Sequence, residues 1–137
     1  MKEYKYFSTE ELACRCGCGL QNIHDGFMRR IIRARVYAKL LCKKFYIDEK
    51  NARFVVTSGC RCLEHNKKVS RYLPLKSSHI ASVKKPSHAM DIAFADTKQL
   101  LVIVASLVCR GGFTHIGIDL KKNYIHVDDK SMWLWFY

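Results

Sequence analysis

The chain has 137 residues, and 24 Lys and Arg against 12 Asp and Glu give a formal charge of +12. That length suits one domain over residues 1–137, large enough to bury roughly two-thirds of its unfolded surface, and 49% apolar with 26% charged residues argues against a disordered chain. No apolar run reaches the ~18 residues of a membrane span, and the opening MKEYKYFSTEEL has no apolar secretory core, so a chain made in the cytoplasm is expected.

In chain order, Ser8-Thr9-Glu10-Glu11 reads as a capping box on one short helical turn. Cys14-Arg15-Cys16-Gly17-Cys18-Gly19 then favours a loop. The strongest helix begins after Asp25, taken as its N-cap, and Phe27, Ile31, Ala34, Ala38, Leu41, Cys42 and Phe45 draw its buried stripe. Arg29, Arg30, Arg33, Lys39, Lys43 and Lys44 mostly fall off that stripe, as a solvated face does. Phe54–Thr57 reads as a strand, and residues 60–88 as a long irregular loop. Ala89–Phe94 alternates as a strand with Ala89, Asp91 and Ala93 on one face. A helix capped near Asp96 or Thr97 runs to Gly111-Gly112. Thr114–Ile118 and Tyr124–Asp128 form a hairpin, and Trp133–Tyr137 a last strand. Helices come early and strands late, so the expected class is α+β with a largely antiparallel sheet.

The charge and the cysteines set softer bounds. A charge of +12 favours polyanions, whether nucleic acid, anionic membrane or anionic wall polymers, and also serves solubility. Seven cysteines leave at least one thiol outside any internal disulfide, consistent with a reducing compartment. Cys42 and Cys109 fall on helix stripes. The alternating Cys14, Cys16 and Cys18, with Cys60 and Cys62, admit three readings: a structural metal, a disulfide to Cys62, or free thiols.

Of six histidines, His79 and His126 stand out together with Asp91. His79 lies in a polar Ser77-Ser78-His79 loop, and Asp91 and His126 interrupt apolar strands, where unpaired polar groups are costly. Asp128 shares the strand face of His126. Zinc on two imidazoles and one carboxylate would relieve that cost and leave a fourth position for water, the layout of a catalytic site.

Several segments carry a resemblance. Ser58-Gly59-Cys60-Arg61-Cys62-Leu63-Glu64-His65-Asn66 resembles the "SGYRCPEHN" segment of zinc peptidases related to D-alanyl-D-alanine carboxypeptidases. Ser77-Ser78-His79 with Ala89-Met90-Asp91-Ile92 is similar to their "SxHxxGxAxDI" motif, and Tyr124-Ile125-His126-Val127-Asp128 to their "FIHVD" ending. Phe7–Leu12 with Cys16-Gly17-Cys18-Gly19 resembles the "FSxxEFxCxCGCG" start of the phage-type branch.

The resemblance implies a hedgehog-like α+β fold and one catalytic zinc held by His79, Asp91 and His126. It implies hydrolysis of peptide bonds in the stem or cross-bridge of bacterial peptidoglycan, as by an endolysin or a D,D-carboxypeptidase. Arg61 matches an arginine that faces the substrate carbonyl or carboxylate in relatives. A monomer that reaches the wall on lysis or in a phage particle fits this reading, with anionic wall polymers drawn to the basic surface.

Three positions depart from the pattern. Asp91 follows His79 by twelve residues, against about seven in the motif. An inserted loop near residues 81–85 would absorb the difference, and His88 is the competing ligand. Ser87 replaces the motif's glycine, and Asn123 stands where several relatives carry a carboxylate that serves as general base. Asp128 is the next candidate base, or else the partner that holds His126, and Asp119 is the third. Two rival functions follow: a non-catalytic relative acting as a binding module, and a nucleic-acid-binding protein with cysteine-bound zinc.

Overall fold

The computed structural model describes residues 1–137. Helix α1 (Thr9–Leu12) starts at Ser8, whose Oγ accepts the Glu11 N–H at 3.2 Å. Glu11 Oε1 is buried without a partner. Helix α2 (Asp25–Lys44) is capped by His24, not by Asp25: His24 Nδ1 accepts the Phe27 N–H at 3.3 Å. The Asp25 carboxylate instead takes Lys2 Nζ at 2.9 Å and the Tyr4 hydroxyl at 2.6 Å, and charge-assisted bonds of this kind outcompete a neutral cap. The buried stripe of α2 is Phe27, Met28, Ile31, Ala34, Ala38 and Cys42; Phe45 leaves it as the exposed C-cap.

One residue of the basic face is structural. Arg30 donates to the carbonyls of Gly111 and Gly112 at 2.8 and 2.7 Å and lies 4.0 Å over the Phe113 ring. It thereby fastens α2 to the end of α4 (Thr97–Cys109), which Asp96 caps through the Gln99 N–H.

A 3-10 turn (Glu49–Ala52) leads into β1 (Val55–Ser58). The stretch 60–88, expected to be irregular, contains α3 (Leu63–Val69). The side chain of Cys62 accepts the His65 N–H there, and buried Asn66 donates to the carbonyls of Leu73 and Pro74, tying the remaining loop back to the helix.

The other strands are β2 (Ala89–Ala93), β3 (His115–Asp119), β4 (Tyr124–Asp128) and β5 (Trp133–Phe136). They form one sheet in the order β1-β2-β4-β3-β5, antiparallel except for the β3–β5 pair. The α+β class with a largely antiparallel sheet is therefore as expected. The twofold period of the strands sorts the residues: Met90, Ile92, Ile116, Ile118, Ile125 and Val127 join α2 and α4 in the apolar core. Ala89, Asp91, His115, Gly117, Tyr124, His126 and Asp128 fall on the opposite face, which carries the polar groups.

Candidate metal centre and active site

Register alone brings two of the polar residues together. Asp91 of β2 lies opposite His126 of β4, and Gly117 of β3 opposite His126 on its other side. Directly paired residues on one face have Cβ atoms ~5 Å apart, so their side chains meet without further arrangement.

His79 arrives from the loop. The Arg61 N–H donates to its carbonyl at 2.7 Å, and the Ala81 N–H donates to the Arg61 carbonyl at 2.8 Å. The residues between it and β2 fold on themselves: the Ser82 N–H bonds the Lys85 carbonyl at 2.8 Å, and Asn22 Nδ2 donates to the Ser82 carbonyl at 2.7 Å. This small turn absorbs the long His79–Asp91 spacing.

The three side chains converge. His79 Nε2 lies 3.1 Å from Asp91 Oδ1 and 3.2 Å from His126 Nδ1, and His126 Nδ1 lies 3.0 Å from Asp91 Oδ1. Their outer partners decide which atoms carry protons. His79 Nδ1 is 2.7 Å from the Gly59 carbonyl and must donate to it, leaving Nε2 as a lone pair. His126 Nε2 is 2.8 Å from Asp128 Oδ2 and donates there, leaving Nδ1 as a lone pair.

Two lone pairs and a carboxylate oxygen thus face one another in a buried site, an arrangement only a cation or added protons can stabilise. Donors on a tetrahedral zinc with bonds of ~2.0–2.1 Å stand about 3.3 Å apart, so the separations of 3.0 to 3.2 Å fit that ion closely. The imidazole–imidazole–carboxylate set and the outer partner on each ring are those of a zinc site.

Without a metal, protons take the same place. Burial opposes charging His126, but its hydrogen bonds to Asp128 and Asp91 outweigh this and raise it to about 9. Burial likewise opposes ionising Asp91, but His79 and His126 hold its carboxyl well below the usual carboxylate range. Asp128 is also held down, the bond from His126 overcoming its burial.

The remaining candidates take distinct positions. Asp128 sits behind His126, on the far side of the ring from the three converging donors, only 2% exposed, and its Oδ1 accepts the Lys130 N–H at 2.9 Å. Arg61 donates to Ser58 Oγ, Asn66 Oδ1 and Asp91 Oδ2, the last at 3.1 Å. It therefore braces the Asp91 oxygen that does not face the histidines. His88 does not reach the cluster; it stacks on His24 with ring centroids 4.6 Å apart and pairs with Asp129 Oδ2 at 2.6 Å. Asp119 caps the β3–β4 turn by accepting the N–H groups of Lys121 and Lys122. Asn123 closes that turn with φ 55°.

Two neighbours were not singled out from the sequence. His115 Nδ1 lies 2.8 Å from Asp128 Oδ1, a close approach whose direction is too poor for a hydrogen bond. Trp135 of β5 lies over Gly117, with its ring centroid 5.7 Å from that of His126 and 4.7 Å from that of His115. A Cβ on Gly117 would stand 2.3 Å from the indole, so glycine is what lets Trp135 lie flat there. The alternation of Trp133, Trp135 and Tyr137 with apolar residues was the available signal for this wall.

The second cysteine feature is resolved spatially. Cys14, Cys16, Cys18 and Cys62 bring their sulfurs within 4.8 Å of one another, whereas Cys60 turns inward and donates to the Leu20 carbonyl at 3.2 Å. No helix is long and apolar enough to cross a membrane.

In comparisons with known proteins, a family model described as Peptidase M15 matches residues 5–128. No curated protein and no solved structure matches the chain.

Proposed function

Since the chain belongs to the peptidase M15 family, a family of zinc peptidases, we propose that it is a single-domain peptidase, over residues 1–137, that hydrolyses peptide bonds in the stem or cross-bridge peptides of bacterial peptidoglycan. The observation that carries this reading is the convergence of His79 Nε2, Asp91 Oδ1 and His126 Nδ1, each with its outer partner. His79, Asp91 and His126 would hold one zinc ion there. When bound, zinc supplies Lewis acidity that polarises a peptide carbonyl and makes water a nucleophile near neutral pH.

The chain's own residues supply the rest. Gly59 and Asp128 fix the tautomers of the two histidines, so both present lone pairs inward. Arg61 holds the second oxygen of Asp91 and so keeps Oδ1 aimed at the histidines. Of its five N–H donors, three are engaged with protein, and two remain for a substrate oxygen. Asp128 is a positioning residue in this reading, because the His126 ring stands between it and the reacting atoms. Trp135 excludes water from one side of His126.

A cleft lined by Lys76, Ser77, Ser78, Lys85, His88 and Asp129 opens on the loop that carries His79, although His79 itself does not line it. Its lysines suit a peptide rich in free carboxylates, as wall stem peptides are, and the overall charge suits anionic wall polymers. Released to the wall by lysis or carried in a phage particle, the protein would meet both.

The test is incubation of the zinc-loaded chain with purified peptidoglycan, followed by mass spectrometry of the soluble fragments. New termini, absent with His126→Ala, support the reading. A second reading rests on Asn123, which cannot accept a proton where several relatives carry a carboxylate: the chain binds wall peptides without cutting them. Zinc-dependent retention on peptidoglycan with no new termini would favour it. Nucleic-acid binding by the basic face is the weaker account, because it gives the His79–Asp91–His126 cluster no role.

A further inference from the structure

We propose that Cys14, Cys16, Cys18 and Cys62 form a second metal site, a structural tetrathiolate that takes zinc, separate from the histidine–aspartate centre. The four sulfurs belong to two segments far apart in sequence, yet all lie within 4.8 Å of one another. Cys14 Sγ is 3.5 Å from Cys16 Sγ, and Cys16 Sγ is 3.7 Å from Cys62 Sγ. Four thiolates around zinc at ~2.3 Å stand about 3.8 Å apart, so these separations match the edges of that tetrahedron.

The local backbone explains how a one-residue spacing serves. Gly17 adopts φ +85°, a left-handed turn that costs glycine little, and the reversal aims Cys16 and Cys18 at one point, where a strand would hold them on one face but about 6.6 Å apart. Cys62 comes in from the start of α3 as the fourth donor.

The surroundings suit thiolates. The Cys62 N–H donates to Cys14 Sγ at 3.3 Å, the His65 N–H donates to Cys62 Sγ at 3.4 Å, and His65 Nδ1 lies 3.3 Å from Cys14 Sγ. Such outer donors stabilise sulfur ligands once the metal has displaced their protons to solvent. Soft sulfur donors in a closed tetrahedron select zinc and leave no position for water, so the site is structural.

Its consequence runs toward the other centre. The metal would tie residues 14–18 to residue 62, next to Arg61, which braces Asp91, and close to Gly59, which holds His79.

The test uses the full chain, reduced and stripped of metal, titrated with Co2+. The expected result is an intense thiolate-to-cobalt charge-transfer band that saturates at one equivalent. The band is weakened and shifted in Cys16→Ser and in Cys62→Ser, each of which removes one of four thiolates, and is unchanged in Cys109→Ser and in His79→Ala. Retention in His79→Ala makes the outcome independent of the proposed peptidase centre. If the cysteine variants fail to fold, the wild-type titration still decides. A wild-type spectrum without the band would overturn the proposal. So would a band undiminished by either cysteine substitution, or an intact mass lighter by two hydrogens in the protein as isolated without reductant, which marks a disulfide.

Discussion

Replacing Asp128 by alanine separates two roles the carboxylate could play. Its Oδ2 accepts the His126 Nε2–H at 2.8 Å, and its Oδ1 accepts the Lys130 N–H at 2.9 Å. At 2% exposure, no bulk water can replace it. Asp128→Ala leaves Nε2–H without an acceptor and frees the ring to rotate or change tautomer, which removes the inward lone pair for part of the time. Loss of such a partner weakens metal binding ~10- to 100-fold, or about 1.4 to 2.7 kcal/mol. The assay is competition with a zinc chelator, scored for the site that His79→Ala removes. Asp128→Asn keeps an acceptor oxygen and should lose less than Asp128→Ala in both affinity and turnover. Zinc affinity of Asp128→Ala within about twofold of wild type would refute the positioning argument. Full zinc affinity in Asp128→Asn with turnover abolished would instead make Asp128 the proton acceptor.

Other expectations follow from the same geometry. Gly117→Ala drives a methyl into the Trp135 indole, which it would meet at 2.3 Å, and should cost ~1–3 kcal/mol in a urea titration and shift the tryptophan emission. Arg30→Ala removes two hydrogen bonds and the contact with Phe113, and should cost about 1–3 kcal/mol, whereas Arg33→Ala on the same helix should cost about 0.5 or less. In the metal-free chain His126 is raised from 6.5 to about 9. The stability this adds is complete below the lower value and is lost as pH rises through the upper one, so metal-free melting temperatures should fall between them. Zinc must displace that proton, so its affinity for the site should rise with pH until about 9 and then level off in a chelator competition.

Much of the fold was legible because its signals are periodic. The apolar stripe of α2 and the alternation of β2 and β4 follow from side-chain burial at periods of 3.6 and 2, and burial decides them in the folded chain. The α2 cap was misread because Asp25 and His24 both accept hydrogen bonds, and only the distant Lys2 and Tyr4 settle which one does so. Helix α3 was missed because seven residues, capped by a cysteine and anchored through Asn66, hold together by tertiary contacts that periodicity does not report.

In the site, Asp91 and His126 are neighbours through register, which strand alternation makes readable. The choice between His79 and His88 depended on the turn at residues 82–85, where loop geometry, not sequence spacing, sets the reach. Trp135 joins the site through the parallel β3–β5 pairing beyond the hairpin, so the alternation of the last strand shows its face but not its neighbour, whereas His115 meets Asp128 through the β3–β4 register. The grouping of Cys62 with the first three cysteines, apart from Cys60, likewise needed the turn at Gly17 and the start of α3.

The most direct test of the central claim is metal content by mass spectrometry of wild type, His79→Ala, His88→Ala and His126→Ala, after mild chelation and reloading with zinc. The account predicts one zinc fewer than wild type in His79→Ala and in His126→Ala, and no change in His88→Ala. Equal zinc in all four proteins would contradict it, because the histidine–aspartate cluster would then hold no metal.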